Sequence, residues 1–273
     1  WGAMAWWGKI IGGAFGYMLG GPLGAMLGAA LGHNVDEGLA RPFEGARPGG
    51  PDVRESVQTA FYTATFAVMG HICKADGRVT DREINLARSV MGRMDLSPDQ
   101  MQTAMHLFSE GKSHDFPLDA ILAQLRHEIR NRHSLMRMFL EIQLAAAWAD
   151  GHLDPAEHRL LLYVSDRLGF SRLEYQRLEA MARVEAGHRW SSRADAPREA
   201  REEYSVDDAF AILNLTATTT NDEVKKAYRR LMSQHHPDKL VAKGLPEEMI
   251  KLATQKTREI RAAYERIREA RGF

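Results

Sequence analysis

The 273-residue chain has 36 basic and 36 acidic residues, so its formal charge is zero and charge makes no case for nucleic acid as a partner. Charged residues at 26% and hydrophobic residues at 44% are an ordinary globular mix, with room for one to three domains. The single cysteine, Cys73, excludes an intrachain disulfide and fits a reducing compartment.

Residues 1–32 are expected to form a short tail and a transmembrane helix, with Met4 as the natural start. Ile10 to Leu31 are 22 consecutive uncharged residues. At about 1.5 Å per residue they reach roughly 33 Å, enough to cross the hydrocarbon core of a bilayer. Trp6, Trp7 and Lys9 suit the interface at one end. A cleaved signal peptide fits less well, because the basic stretch ahead of the apolar run is no more than Lys9. Pro22 loosens the helix in a way that membrane spans tolerate. Glycine recurs every fourth residue, at Gly12, Gly16, Gly20, Gly24, Gly28 and Gly32. That register puts a smooth groove on one face, where two backbones approach closely, and predicts pairing of two spans in the lipid.

Residues 33–55, with Arg47-Pro48-Gly49-Gly50-Pro51, read as a flexible linker. Residues 56–185 contain an internal repeat at an offset of 74. Ala75-Asp76-Gly77-Arg78-Val79-Thr80-Asp81-Arg82-Glu83 matches Ala149-Asp150-Gly151-His152-Leu153-Asp154-Pro155-Ala156-Glu157, and Met94 to Ser97 matches Leu168 to Ser171. A helical apolar seam precedes each copy: Phe61, Ala64, Thr65, Val68 and Ile72 in the first, Leu135, Phe139, Ile142 and Ala146 in the second. Two related helical units make one all-α domain. The pattern resembles the TerB-like fold.

Asp76 with Glu83, and Asp150 with Asp154 and Glu157, offer oxygens to a hard cation. The spacing is too short for an EF-hand loop. Helix capping explains the same residues better: Gly77 and Gly151 end one helix, and Thr80 with Glu83 and Asp154 with Glu157 open the next as capping boxes. Ser97 with Gln100 and Ser171 with Glu174 repeat the device. No metal site is expected.

Residues 186–203, dominated by Arg, Glu, Ser and Ala with Pro197, read as a second flexible linker that lets the C-terminal domain move. In residues 204–273 a short helix at Val206 to Leu213 comes first. A basic helix follows from Asp222 to Gln234, with Asn221 or Asp222 as its cap and a seam at Val224, Ala227, Tyr228 and Leu231. Pro237 must end it. A last helix, Pro246 to Arg271, has its seam at Leu252, Ala253, Ile260, Ala263, Tyr264 and Ile267. Two seams joined by a short loop make an antiparallel hairpin. His236, Pro237 and Asp238 then stand exposed at its tip, beside the basic face of Lys225, Lys226, Arg229 and Arg230.

These four parts resemble the J-domain of the DnaJ-type co-chaperones. Leu240 to Pro246, Gln255 to Ile260 and Ala263-Tyr264-Glu265 are closer still to a membrane-anchored branch of that family. One departure is Thr257, where many J-domains carry Phe. The resemblance implies a partner, a DnaK-type chaperone ATPase. Lys225, Lys226, Arg229 and Arg230 would dock an acidic surface of it, and His236, Pro237 and Asp238 would trigger ATP hydrolysis. With 13 Lys and Arg against 10 Asp and Glu, residues 204–273 carry net +3, which agrees weakly with an acidic partner.

No Gly-rich phosphate loop, His-Glu-x-x-His or Gly-x-Ser-x-Gly occurs, so no enzyme and no cofactor is expected. Adjacent His235 and His236 point apart on any helix, and His71, His106, His127 and His152 suit surface or interface roles. The resemblance places the chain in the bacterial inner membrane with its C-terminal domains in the cytoplasm. Two alternatives are a membrane-tethered TerB-like scaffold and a metal-sensing protein of envelope stress signalling.

Overall fold

In a computed structural model of the chain, residues 21–28, 53–75, 88, 91–92, 94, 96–148, 151–191, 205–246 and 249–273 are described. Among these residues every regular element is a helix and no strand occurs. The middle domain has α1 (Val53–Cys73), α2 (Pro98–Gly111), α3 (Leu118–Glu128), α4 (His133–Ala147), α5 (Pro155–Leu168) and α6 (Arg172–Ser191).

The expected seam of α1 is buried, and so are Phe66, Ala67, Met69 and Cys73 off that seam. A helix apolar all round belongs in the centre of a domain, and α1 is packed by α2, α3, α4 and α5. Glycine lets α2 come nearest. A Cβ on Gly70 would stand 1.9 Å from the Phe108 carbonyl oxygen, and one on Gly111 1.9 Å from that of Ala67. Inside the core the Gln143 amide of α4 donates to the Thr65 carbonyl at 3.1 Å.

The capping devices of the second repeat hold. Asp154 accepts from the Ala156 N–H at 2.6 Å, and the Glu157 carboxylate reaches back to the Asp154 N–H at 3.3 Å. Gly151 and Gly169 take left-handed conformations, φ +83° and +87°. Ser97 and Gln100 close a capping box at α2, and Ser171 and Glu174 pair at the start of α6. In the first copy, Asp76, Gly77, Thr80 and Glu83 lie outside the described residues, as does Asp150 in the second. Among the described residues no three His, Cys, Asp or Glu side chains form a metal-holding group.

Helix α6 continues to Ser191, so residues 186–191, expected within a flexible linker, are helical. Met181, Ala182, Glu185 and Ala186 line its buried stripe, two of them alanines and one a paired glutamate, which is why the segment reads as polar.

The C-terminal domain has α7 (Val206–Ile212), α8 (Asn221–His235), α9 (Pro237–Ala242) and α10 (Ile250–Arg271). Thr220, not Asn221 or Asp222, caps α8: its side chain accepts from Glu223 N–H, and Glu223 returns the bond at 3.0 Å. A threonine is the stronger choice here because Glu223 sits three residues on. Val224 and Leu231 are buried against Ile260, Ala263 and Ile267 as expected, and Ala227 is buried too, but Leu252 and Ala253, at the start of the α10 seam, face the middle domain.

Of the expected transmembrane segment, residues 21–28 are described and helical. Leu23 is buried beside the middle domain, where its N–H donates to Gln124 Oε1 at 2.8 Å. No described helix is long and apolar enough to cross a membrane. Gly12, Gly16, Gly20 and Gly32 lie outside the described residues, and Gly24 and Gly28 fall within 21–28.

Candidate functional site

Helix α8 stops where Pro237 requires. His236 is extended (φ −61°, ψ 123°), and Pro237 takes the first position of α9. The expected open loop is therefore a one-residue break between two helices, closed by the Leu240 N–H donating to the His236 carbonyl at 3.0 Å. Lys239 reaches back across the break to Ser233 Oγ at 2.6 Å. His236 and Asp238 remain exposed, with the His236 ring nitrogen 3.9 Å from the carboxylate.

The basic face is less uniform than its sequence. Lys226, Arg229 and Arg230 are exposed. Lys225 is half-buried, its ammonium 5.2 Å from the centre of the Phe273 ring. Arg230 also lines a cleft of about 180 Å³ between the domains, opposite His133, Arg137, Glu174 and Arg177.

Sequence reasoning missed the residues behind the loop. His235 is 1% exposed, its Nδ1 3.6 Å from Glu141 Oε2 on α4. Arg137 Nε donates to the other Glu141 oxygen at 2.9 Å. The Lys256 ammonium of α10 pairs with the Glu185 carboxylate of α6, and both are buried. Lys243 donates to Ser134 Oγ at 2.9 Å. Gly244, at φ +100°, lies against Val57, where a Cβ would stand 2.6 Å from Cγ1. Leu240, Leu245, Met249, Leu252 and Ala253 join the apolar core of the middle domain, and Met181 of α6 joins that of the C-terminal domain. The two domains share one seam.

The charges in it are set by their surroundings. Burial drives the His235 imidazole down to about 4, against the pull of Glu141, so it is neutral at pH 7. Burial works to raise the Glu141 carboxyl, but His235, Lys256 and Arg137 hold it at about 2. Since His235 is neutral near pH 7, Lys256 and Arg137 are the cations that keep Glu141 ionised there. Burial alone would lower Lys256, yet Glu185 and Glu141 raise it above the ordinary lysine value.

Three protein-family models match the chain in order. The Co-chaperone DjlA transmembrane domain covers residues 4–42, Tellurite resistance protein TerB residues 62–180 and the DnaJ domain residues 208–271. The chain is similar along its whole length to proteins named Co-chaperone protein DjlA. The relative from Photobacterium profundum is 42% identical over 98% of this chain and 99% of its own. The one from Coxiella burnetii is 43% identical over 99% and 100%, and the one from Shewanella oneidensis 42% over 99% and 100%. No solved structure matches the chain.

Proposed function

The chain belongs to the DjlA family of J-domain co-chaperones, and we propose that it stimulates the ATPase of a DnaK-type chaperone from a membrane anchor. The observation that carries this reading is the conjunction at the end of α8. His236 and Asp238 are exposed at the helix break, and Lys226 and Arg229 are exposed on the helix that leads to it.

The exposed cations steer an acidic partner and fix the orientation of the encounter. His236, Pro237 and Asp238 then meet the chaperone and favour the state that hydrolyses ATP. The chain acts as a regulator and performs no chemistry of its own. Its anchor lies in the bacterial inner membrane, with the middle domain and the J-domain in the cytoplasm beside that chaperone. Gly12 through Gly32 pair two spans, which places two loops near one client.

The test is His236→Gln in the full chain. An exposed substitution leaves melting within about 0.5 kcal/mol of the parent, and stimulation of the chaperone ATPase is lost. A variant that stimulates fully refutes the reading.

A further inference from the structure

The seam between the domains lies behind the loop. His235, one residue before His236, and Leu240, two residues after Asp238, are each 1% exposed. Between them His236 keeps 47% of its side chain in solvent and Asp238 91%. Lys226 and Arg229 are exposed on the helix that leads to the loop. A contact that masked the loop would bury His236 or Asp238; this one buries their neighbours on either side.

The seam also spends charge where apolar groups would close it more simply. Glu141, Glu185 and Lys256 are all at or below 9% exposure, and charged groups taken out of water give little net stability over well-packed apolar ones. What they add is register: Lys256 must meet Glu185 across the seam, and Glu141, bonded to Arg137 of its own helix, has the His235 ring laid against it at 3.6 Å. Gly244, too close to Val57 for any side chain, adds a second point of register.

We propose that Glu141 and Glu185 of the middle domain are positioning residues for the loop, Glu185 pairing with Lys256 and Glu141 lying 3.6 Å behind the His235 ring, and so fixing the direction in which His236, Pro237 and Asp238 face the chaperone. The inference rests on the chaperone reading above. A J-domain on a free tether would lose its rotational freedom each time it engaged; a braced one has lost it already, which tightens binding without any new contact. This also gives a role to the stretch from Leu240 to Lys256, whose buried residues serve the seam and leave the chaperone-facing side alone.

The experiment uses the full chain in detergent micelles with a DnaK-type chaperone and ATP. Lys256→Met strips the cation from Glu185, and Lys256→Met with Glu185→Gln removes both charges, which restores a neutral fit. Glu141→Gln serves as an independent variant, should Lys256→Met fail to fold. Amide hydrogen exchange over Leu240 to Ala253 reads docking, and titration of the stimulated ATPase separates half-saturating concentration from maximal rate.

In Lys256→Met, and in Glu141→Gln, exchange should quicken and half-saturation should need about tenfold more protein at an unchanged maximal rate. The double variant should recover most of both. Fast exchange with parental half-saturation would overturn the proposal. A lower half-saturating concentration would also overturn it, because the contact would then be a mask. Unchanged protection in both single variants would mean these groups do not hold the domains together. If the parent chain gives no stimulation, or His236→Gln keeps it, the chaperone reading fails and takes this proposal with it.

Discussion

Tyr228 of α8 stacks on Tyr264 of α10, ring centroids 4.2 Å apart and planes 17° apart, and the Phe273 ring stands edge-on to Tyr264. The stack joins the two long J-domain helices on the flank of the basic face. Aromatic pairs add about 0.5–1.5 kcal/mol beyond the area they bury. Tyr264→Ala should therefore destabilise the J-domain by about 2 kcal/mol, since both rings are only half-buried. A double-mutant cycle with Tyr228→Ala in urea should return a coupling of about 1 kcal/mol; additive losses would mean the rings do not support each other.

Gly70 and Gly111 bring α1 and α2 into backbone contact. A methyl group at either forces the helices apart, so Gly70→Ala and Gly111→Ala should each cost about 3 kcal/mol. Gly187→Ala is the control: a Cβ there meets nothing within 4 Å, and it lies inside α6. It should stabilise by up to about 1 kcal/mol through helix propensity. Thermal unfolding of the three variants checks the contrast.

The seam should loosen in acid. His235 titrates near 4 in the fold, below its ordinary 6.5, so the unfolded chain takes up the proton first. Its contribution is complete above pH 6.5 and is lost as the pH falls towards 4, with a slope of up to about 1.4 kcal/mol per pH unit. Glu141, at about 2 against 4.5, extends the loss below pH 4.5. His71, lowered by burial, acts in the same direction. Unfolding followed from pH 7.5 to 4.5 should show this fall, and His235→Leu should flatten its upper part.

Lys226 and Arg229 should behave alike and Lys225 differently. Replacing either exposed cation with alanine should weaken chaperone association several-fold at low salt, chiefly through the on-rate, with stability unchanged. Lys225→Ala also removes the cation from the Phe273 ring, worth about 0.5–1 kcal/mol at such a site. Stopped-flow association at two salt concentrations, alongside melting curves, distinguishes them.

For the span, Gly20→Leu and Gly24→Leu should abolish dimer crosslinking in membranes, while Met26→Leu should not. Both glycine variants should still insert and still stimulate the chaperone. Crosslinks that survive in both would assign the glycines to something other than pairing.

What the sequence disclosed follows from periodicity. The seams at Phe61 and Leu135, the caps at Asp154 and Ser171 and the break at Pro237 are local patterns, readable wherever spacing alone sets geometry. The site came half from that source: His236, Asp238, Lys226 and Arg229 are exposed where the pattern puts them. The other half is long-range. Nothing near Glu141 in the chain announces that its partner is 94 positions away at His235, and Glu185 resembles any other glutamate in a polar run until Lys256 is brought to it. Leu252 and Ala253 fit the α10 period whichever neighbour covers them, so periodicity could not say that the middle domain does.

The apolar residues of that seam bear on how the protein can be taken apart. Leu240, Leu245, Met249, Leu252 and Ala253 are at most 9% exposed and belong to the apolar core of the middle domain, a body outside the J-domain. A fragment cut at Ser205 would carry them into water as an adhesive patch, beside a lysine stripped of its glutamate. This J-domain is thus a poor interchangeable part: grafted onto another protein it would bring His236, Pro237 and Asp238 and leave its footing behind.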